Sequence, residues 1–175
     1  MHKPQQYEAI LDSHSYSPNH QVDFVRIKLN DPEFIFEEGQ FVMIWVEING
    51  ALVKRSYSIA TTFSEYQKYQ TIWFIIKLVP GGVFTERLWN TAQIGEKITV
   101  IWALWHMKLP EDISDKNFVL ISTGSGLSPI YGIFSALLES NKYQNILHLH
   151  GEKSEQWFPE EQIPLLTYTN DKVSN

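Results

Sequence analysis

Short apolar segments separated by turn residues make up the first two thirds of the chain. Residues 22–29 alternate apolar and polar positions in their second half, which predicts a half-buried strand. Residues 41–46 are apolar throughout, and Asn49-Gly50 shortly after them is a strong hairpin signal. A set of six short strands favours a closed or nearly closed antiparallel barrel. The predicted strands are residues 7–11, 22–29, 41–46, 56–60, 71–79 and 95–101.

Two stretches between these strands have a different pattern. Residues 13–20 are rich in turn formers, and we predict that they link the first two strands. Residues 81–90 switch to a helical period, with Val83, Phe84 and Leu88 on one side. The barrel is therefore expected to carry a single short helix.

The pattern changes after a polar connection at residues 110–115, which is the predicted domain boundary. A fully apolar strand is predicted at residues 118–122, and apolar residues then recur at helical spacing from residue 130 to residue 138. Pro129 suits the first turn of that helix. The remaining predictions are strands at 146–149 and 165–169 and a weak helix at 157–162. This β-α-β-α-β order is half of a doubly wound nucleotide-binding domain, which gives predicted domains of residues 1–112 and 117–175.

Composition and charge narrow the function classes. The chain is 43% hydrophobic and 19% charged, as expected of a globular protein with a real core. Its net charge is −6 and its basic residues are scattered, which argues against nucleic acid as the main partner. Apolar runs stay well below the roughly 18 residues of a membrane span, and residues 1–7 do not resemble a signal peptide. The chain has no cysteine, so thiolate chemistry is excluded and the cytoplasm is the expected compartment.

The segment Arg55-Ser56-Tyr57-Ser58 carries residue types that suit a flavin nucleotide. Such a ligand needs a cation for its phosphate, a flat side chain for its ring, and a hydrogen-bonding group beside the ring. In a strand, Arg55 and Tyr57 share one face, whereas Ser58 points the other way unless the strand bends. By itself the segment favours an ordinary edge strand over a binding site.

Two glycine-containing segments further along suit phosphate binding. Gly81-Gly82-Val83-Phe84-Thr85 leads from a strand into a helix, where free N–H groups attract phosphate and Thr85 could add a hydroxyl. Thr123-Gly124-Ser125-Gly126 follows an apolar strand and opens another helix, in a Gly-x-Gly-x-x-Pro pattern that ends at Pro129. The alternative for each segment is a plain turn between a strand and a helix.

The order of five segments resembles the ferredoxin–NADP reductase superfamily of flavin oxidoreductases. The segments are Glu38-Gly39-Gln40-Phe41-Val42, Arg55-Ser56-Tyr57-Ser58-Ile59-Ala60, Gly81-Gly82-Val83-Phe84-Thr85, Ile94-Gly95-Glu96-Lys97-Ile98 and Ser122-Thr123-Gly124-Ser125-Gly126-Leu127-Ser128-Pro129. The resemblance implies a six-stranded flavin-binding barrel followed by an NAD(P)-binding domain. It also implies electron transfer between NADH or NADPH and an acceptor that the sequence does not name.

The resemblance further implies a role for each site residue. Arg55 would contact the flavin phosphates, Tyr57 would stack on the ring, and Ser58 would lie near its N5 atom as the candidate catalytic residue. The pyrophosphate would lie among Gly81, Gly82 and Thr85, which favours FAD while leaving FMN possible. The nicotinamide nucleotide would bind at the 123–126 loop. The full cofactor-binding set is Arg55, Ser56, Tyr57, Ser58, Gly81, Gly82, Val83, Thr85, Thr123, Gly124, Ser125 and Gly126.

The sequence departs from the family pattern in two places. Trp102-Ala103-Leu104-Trp105 stands where the family usually has Gly-Pro-x-Gly. We expect the two tryptophans to pack in a core or an interface, and covering or replacing the cofactor is the alternative. The chain also stops at Asn175, after the third predicted strand of the second domain, where the family continues. Strand 118–122 is then expected to have an open edge.

Three explanations compete for the early end: a truncated product, a shortened gene, or a sheet completed by another chain or a second copy. The rival to an enzyme is accordingly a flavin-barrel remnant that acts as a non-catalytic binding module. After the predicted strand 146–149, Lys153 and Ser154 could contact a ribose or its 2′-phosphate. The negative charges of Glu152 and Glu155 would repel a 2′-phosphate, so NADH is slightly favoured over NADPH.

Three histidines are candidate site residues. His148 and His150 lie two apart on one strand face, so they could chelate a metal, although roles at the core edge are favoured. His106 could donate a proton near the flavin, and packing is the alternative. No metal site is predicted.

Overall fold

The computed structural model describes residues 5–17, 22–104 and 107–151. The described residues up to Leu104 contain six strands and two helices and are called the barrel region. The second region, Asn117–Gly151, is a β-α-β unit. The elements are β1 (Gln6–Ser17), β2 (Val22–Lys28), β3 (Phe41–Ile48), β4 (Ala51–Ser58), α1 (Phe63–Tyr69), β5 (Thr71–Lys77), α2 (Val83–Asn90), β6 (Lys97–Leu104), β7 (Asn117–Thr123), a 3₁₀ turn (Gly124–Gly126), α3 (Leu127–Ser140) and β8 (Asn145–Gly151). Within these residues, no helix has the length and apolar character needed to cross a membrane.

Six strands form one antiparallel sheet in the order β4-β3-β6-β1-β2-β5, which confirms the predicted flavin-barrel type of fold. The sheet curls so that the chain beyond β4 reaches β5. There the Ala60 N–H donates to the Trp73 carbonyl at 2.9 Å, and the Trp73 N–H donates to Thr61 Oγ1 at 2.8 Å. The enclosed core is apolar and includes Leu11, Ile27, Val42, Ile44, Ile72 and Phe74.

The β3–β4 hairpin follows the sequence prediction closely. Asn49 and Gly50 have φ angles of 52° and 77°, as a two-residue hairpin turn with a matching twist requires. The strand after the turn begins at Ala51, earlier than the predicted residue 56, and pairs along its full length with β3. The turn signal therefore located the hairpin more accurately than the apolar pattern located β4.

The predicted link at residues 13–20 is wrong for the part that the structure describes. β1 continues to Ser17 and pairs with β2 beyond a register shift between Leu11 and Ser13. Polar residues are tolerated there because the His14 imidazole lies 3.1 Å from the fully buried Asp23 carboxylate. Burial raises the pKa of the Asp23 carboxyl, and His14 opposes that shift. A polar pair with one fully buried member, Asp23, thus takes the place of an apolar face in this part of β1.

The expectation of a single helix in the barrel region is also wrong. α1 begins after Thr62, whose side chain accepts the Glu65 N–H while the Glu65 carboxylate accepts the Thr62 N–H. This capping box is a Thr-x-x-Glu pattern that sequence reasoning could have used. α2 lies within the predicted range 81–90, but Val83 is 52% exposed and does not share the buried side of Phe84 and Leu88.

The second region is a parallel β7–α3–β8 unit, as predicted for the start of a nucleotide-binding domain. Pro129 lies in the first turn of α3, as expected. Although β7 is apolar as predicted, it is not buried on both faces, because Val119 and Ile121 are 61% and 66% exposed. Leu147 and Leu149 of β8 are exposed as well. The predicted helix at 157–162 and strand at 165–169 lie outside the described residues.

Helix α3 joins the second region to the barrel. Leu127 and Tyr131 pack with Val22 and Ile75 of the sheet in one buried cluster. Further along the helix, Gly132 lies so close to the barrel that a Cβ there would be 3.3 Å from the Ile59 carbonyl oxygen. The start of α3 is therefore held against the seam where the barrel closes.

Polar contacts extend this junction to α1. The Glu139 carboxylate of α3 accepts hydrogen bonds from the Thr62 hydroxyl at 2.9 Å and the Ser64 hydroxyl at 2.6 Å. Both donors belong to the first turn of α1 or its cap. The junction is thus apolar at the start of α3 and polar at its far end.

Candidate functional site

A cavity of about 510 Å³ lies where the barrel meets the start of α3. Its walls come from the end of β4, from β5, from the turn into α2 and from the 123–128 segment. The lining residues are Arg55, Ser56, Tyr57, Ser58, Ile75, Ile76, Lys77, Val79, Gly82, Phe84, Thr85, Ser125 and Ser128. Three separated sequence motifs therefore meet in one space, because β4 and β5 are brought together at the barrel seam.

Arg55 and Tyr57 lie on the same strand face, opposite Ile44 and Val42 of β3. The Tyr57 ring is half-buried at the barrel mouth, with its centroid 5.3 Å from that of Phe84 and 6.3 Å from that of Phe74. Burial raises the pKa of the Tyr57 phenol well above its usual value, and nearby Arg55 only partly offsets this. Tyr57 therefore presents a neutral aromatic surface to the cavity.

Arg55 is exposed, and its Nη1 donates a hydrogen bond to the Lys54 carbonyl at 2.7 Å. Within the described residues, no carboxylate forms an ion pair with Arg55, and the same holds for Lys77 across the cavity. Both cations line the cavity. The arrangement leaves positive charge available to an anionic ligand.

Ser58 ends β4 and lines the cavity together with Ser56. Its carbonyl accepts a hydrogen bond at 2.7 Å from the Ser128 hydroxyl, which in turn accepts the Ile75 N–H at 3.3 Å. Ser128 is 2% exposed and belongs to the first turn of α3. From α3, this residue bridges β4 and β5, a role that no local sequence pattern signals, because both partners are distant along the chain.

The glycine turn before α2 is closed by its own hydrogen bonds. The Gly82 N–H donates to the Val79 carbonyl at 2.8 Å, and the Thr85 hydroxyl contacts the Val79 N–H and carbonyl at 3.2 Å. Thr85 is 6% exposed, so its hydroxyl is committed to the turn. A Cβ on Gly82 would lie 2.7 Å from the Val79 oxygen, whereas Gly81 has open space and a φ of 74°.

The start of α2 supplies free donors. Gly82 caps the helix without a side-chain hydrogen bond. Within the described part of the chain, the N–H groups of Val83, Phe84 and Thr85 have no acceptor outside the helix. Such a helix start carries partial positive charge, which favours phosphate. Gly82 has no side chain between the backbone of this turn and the cavity, so the residues present fit a pyrophosphate. Of the predicted pyrophosphate contacts, Gly81 and Val83 do not line the cavity.

The 123–126 loop reaches the same cavity through Ser125. Gly124 has a φ of 54°, a backbone conformation that glycine adopts without strain, and it begins the 3₁₀ turn that leads into α3. Thr123, Gly124 and Gly126 flank Ser125 but do not line the cavity. The loop therefore borders the space beside the barrel, where a second nucleotide would meet the first.

The structure describes only part of the Trp102-Ala103-Leu104-Trp105 segment. Trp102 lies on β6 and is 41% exposed, so it does not pack in the core, and packing in an interface stays a prediction. It does not line the cavity, and its N–H donates to the Gln5 carbonyl at 3.1 Å. Trp105 and His106 lie outside the described residues, as do Glu152, Lys153, Ser154 and Glu155.

His148 and His150 converge on a buried serine. Ser122 Oγ lies 2.9 Å from His148 Nε2 and 2.7 Å from His150 Nδ1. Since the hydroxyl has one proton, it can donate to one ring and must accept from the other. In the described residues, no cluster of three or more histidine, aspartate or glutamate side chains could hold a metal ion. Ser122 and the two histidines thus form a hydrogen-bonded element that connects β7 and β8.

We expect this element to make stability depend on pH. Burial and the neighbouring His150 lower the pKa of His148 below its usual value. The unfolded chain, with a histidine pKa of about 6.5, therefore binds the proton first as pH falls. The free energy of unfolding should decrease from about pH 7 to about pH 5, as measured by urea denaturation. His148→Gln keeps an amide that can reach Ser122 and should flatten this dependence; an unchanged slope in that variant would contradict the assignment.

Comparison with known proteins agrees with this geometry. A family model described as an oxidoreductase FAD-binding domain matches residues 9–104. The chain is 28% identical over 149 residues to a ferredoxin–NADP reductase of Azotobacter vinelandii, covering 82% of this chain and 56% of that protein. It is 31% identical over 123 residues to a ferredoxin–NADP reductase of Pseudomonas aeruginosa, covering 69% of this chain and 45% of that protein. The chain thus spans about half the length of the curated relatives it matches.

Solved structures show the same fold. A crystal structure of an Amycolatopsis cytochrome P450 reductase matches with a TM-score of 0.75 at 28% identity, over 89% of this chain and 45% of that chain. A ferredoxin NADP⁺ reductase from Neisseria gonorrhoeae, solved with bound FAD and NADP, matches with a TM-score of 0.73 at 20% identity, over 94% and 62% of the two chains. From its FAD-binding domain and its fold, the chain belongs to the ferredoxin–NADP reductase superfamily of flavin oxidoreductases.

Proposed function

We propose that the chain binds FAD in the cavity at the barrel mouth and passes electrons between a nicotinamide nucleotide and an acceptor. The observation that carries this proposal is the meeting of the β4 end, the uncapped start of α2 and the Ser125 loop in one space of about 510 Å³. When bound, FAD supplies the redox chemistry by taking a hydride from the nicotinamide and releasing electrons onward. The domain boundaries proposed with this function are residues 1–112 and 117–175.

The chain's own residues bind and orient the cofactor in this proposal. The Arg55 guanidinium and the free N–H groups of α2 contact the phosphates, and Gly82 lets the backbone approach them closely. Tyr57 provides the flat surface for the ring. Ser58 is the proposed catalytic residue beside the ring, and Ser128 holds its carbonyl in place. The contribution of the protein is therefore positioning and electrostatics.

The 123–126 loop is the proposed nicotinamide contact. Its support is the position of Ser125 in the cavity and of the loop at the start of α3. The solved relative from Neisseria gonorrhoeae contains FAD and NADP, which makes the pairing of the two nucleotides reasonable for this fold. We propose NADH as the preferred donor on the charge of Glu152 and Glu155, and comparison of NADH with NADPH in anaerobic reduction of the bound flavin tests this.

The proposed acceptor is a redox protein. Similar proteins include the reductase subunit of an aromatic O-demethylase and component C of a methane monooxygenase.

One observation favours a second candidate function, a flavin-binding subunit completed by another chain or by a second copy. The β7–β8 sheet has an exposed apolar face, which is formed by Val119, Ile121, Leu147 and Leu149. Native mass measurement of the purified protein distinguishes a monomer from an assembly.

Binding of FAD should depend strongly on Arg55. Arg55→Gln removes a charge-assisted hydrogen bond worth about 1.5–3 kcal/mol, so the Kd for FAD should rise about 10- to 150-fold in a flavin fluorescence titration. Arg26→Gln is the matched control, because Arg26 is exposed on β2 and lies outside the cavity. Riboflavin, which lacks phosphate, should bind both variants equally. If the unaltered protein shows no flavin absorbance and takes up no FAD, the proposed function is wrong.

A further inference from the structure

The first turn of α2 contains a carboxylate next to the part of the glycine turn that lines the cavity, Gly82 and Thr85. Glu86 is exposed, and its Oε1 accepts the Gly81 N–H at 2.5 Å. Among the described residues, no cation forms an ion pair with it, since the adjacent Arg87 is held by Glu96 through two hydrogen bonds of 2.6 and 2.8 Å. Glu86 is thus an uncompensated negative charge bound to an amide of the glycine turn.

The turn does not need Glu86 for its shape. It is already closed by the Gly82 N–H to the Val79 carbonyl, and the buried Thr85 hydroxyl ties it to Val79 a second time. Glu86 is exposed, so no packing contact requires its carboxylate either. The effect of Glu86 must therefore be chiefly electrostatic.

The start of a helix stabilises negative charge near it. In the free protein Glu86 supplies that charge, at the same turn where the phosphate of a bound nucleotide would lie. Two like charges at one helix start repel each other, although exposure to solvent and salt weakens the repulsion. A phosphate must therefore bind beside Glu86 or displace it from the Gly81 N–H.

We propose that Glu86 is an internal competitor of the flavin phosphates, which lowers affinity for phosphorylated flavins and leaves affinity for the ring unchanged. The inference rests on the proposed function, because it assumes that the cavity takes a flavin nucleotide. It makes Glu86 a residue that sets how tightly the chain retains its cofactor and how strongly retention depends on ionic strength.

The test compares three ligands on two variants by fluorescence titration. Glu86→Gln keeps the side-chain length and an oxygen that can accept the Gly81 N–H but removes the charge. We expect the Kd for FAD to fall about three- to tenfold and the Kd for FMN to fall similarly, with no change for riboflavin. The FAD gain should shrink in about 1 M salt, where screening is nearly complete. Glu111→Gln removes an exposed charge outside the cavity and should change none of these values.

The outcomes separate the two proposals. An unchanged or weaker FAD affinity in Glu86→Gln overturns the competitor role, as does an equal gain for riboflavin, which would indicate a structural effect. An equal gain in Glu111→Gln also overturns it, because net charge would then be the cause. If FAD binds neither the unaltered protein nor the variant, the proposed function fails and this inference falls with it.

Discussion

Gly82→Ala is expected to raise the Kd for FAD by about 10- to 100-fold, as measured by flavin fluorescence titration. The added Cβ would lie 2.7 Å from the Val79 carbonyl oxygen and 2.8 Å from the Thr85 hydroxyl. Both atoms hold the turn closed, so the turn must open for the methyl group to fit. Overpacking of this kind costs about 1–3 kcal/mol, and the displaced turn also moves the N–H groups at the start of α2.

Two other glycine substitutions separate the possible causes. Gly81→Ala meets no atom within 4 Å but must adopt a φ of 74°, so we expect a smaller loss of affinity from strain alone. Gly50→Ala imposes a similar strain, at a φ of 77°, in the β3–β4 hairpin away from the cavity. It should lower stability and leave FAD affinity unchanged. Equal affinities in all three variants would contradict a close approach of phosphate at Gly82.

Leu127→Ala is expected to lower the free energy of unfolding by about 2–5 kcal/mol in urea denaturation. Leu127 is fully buried at the junction of α3 and the barrel, packed with Val22, Ala60, Ile75 and Tyr131. Its removal leaves a cavity that rigid sheet residues cannot fill. Because Ser128 follows directly and holds the Ser58 carbonyl, loosening of this junction should also weaken FAD binding.

The matched control for this variant is Leu147→Ala, the same substitution on the β7–β8 sheet. Leu147 is 51% exposed, so the described fold predicts a loss below about 1 kcal/mol. A large loss at Leu147 would show that another segment or another chain covers this face in solution. A small loss at Leu127 would show that α3 does not pack on the barrel as described.

The junction between α3 and the barrel brings residues of both regions into one cavity. Ser128 bridges the β4 end and β5, and Gly132 allows α3 to lie against the residues that close the barrel. Tyr131 packs edge-on against Trp73 of β5, with ring centroids 4.9 Å apart, and burial raises the pKa of Tyr131 to about 12. The start of α3 therefore contacts the end of β4 directly and continues from the Ser125 loop.

Local patterns were sufficient where one element determines its own geometry. Asn49-Gly50 predicted the hairpin because only residues that tolerate positive φ can form its turn. Strand alternation put Arg55 and Tyr57 on one face, and Pro129 marked the first turn of α3. Local patterns were insufficient for β1, whose polar second half is held as a strand by its pairing with β2 and by the buried Asp23 opposite His14.

The sequence alone therefore determined the strand-rich barrel region, the β-α-β unit after it and the motifs that suit a flavin nucleotide, since turn chemistry and side-chain period are local properties. Tertiary structure decided which of those residues share a cavity. It committed the Thr85 hydroxyl to the turn, placed Ser128 beneath Ser58, and put Glu86 on the Gly81 N–H. It also left Val119 and Ile121 exposed on a strand that is apolar in sequence. The Ser128–Ser58 contact joins residues that are 70 positions apart, so only the packing of α3 on the barrel brings them within hydrogen-bond distance. The Thr85 and Glu86 contacts span six and five residues and depend on the backbone path of the turn before α2.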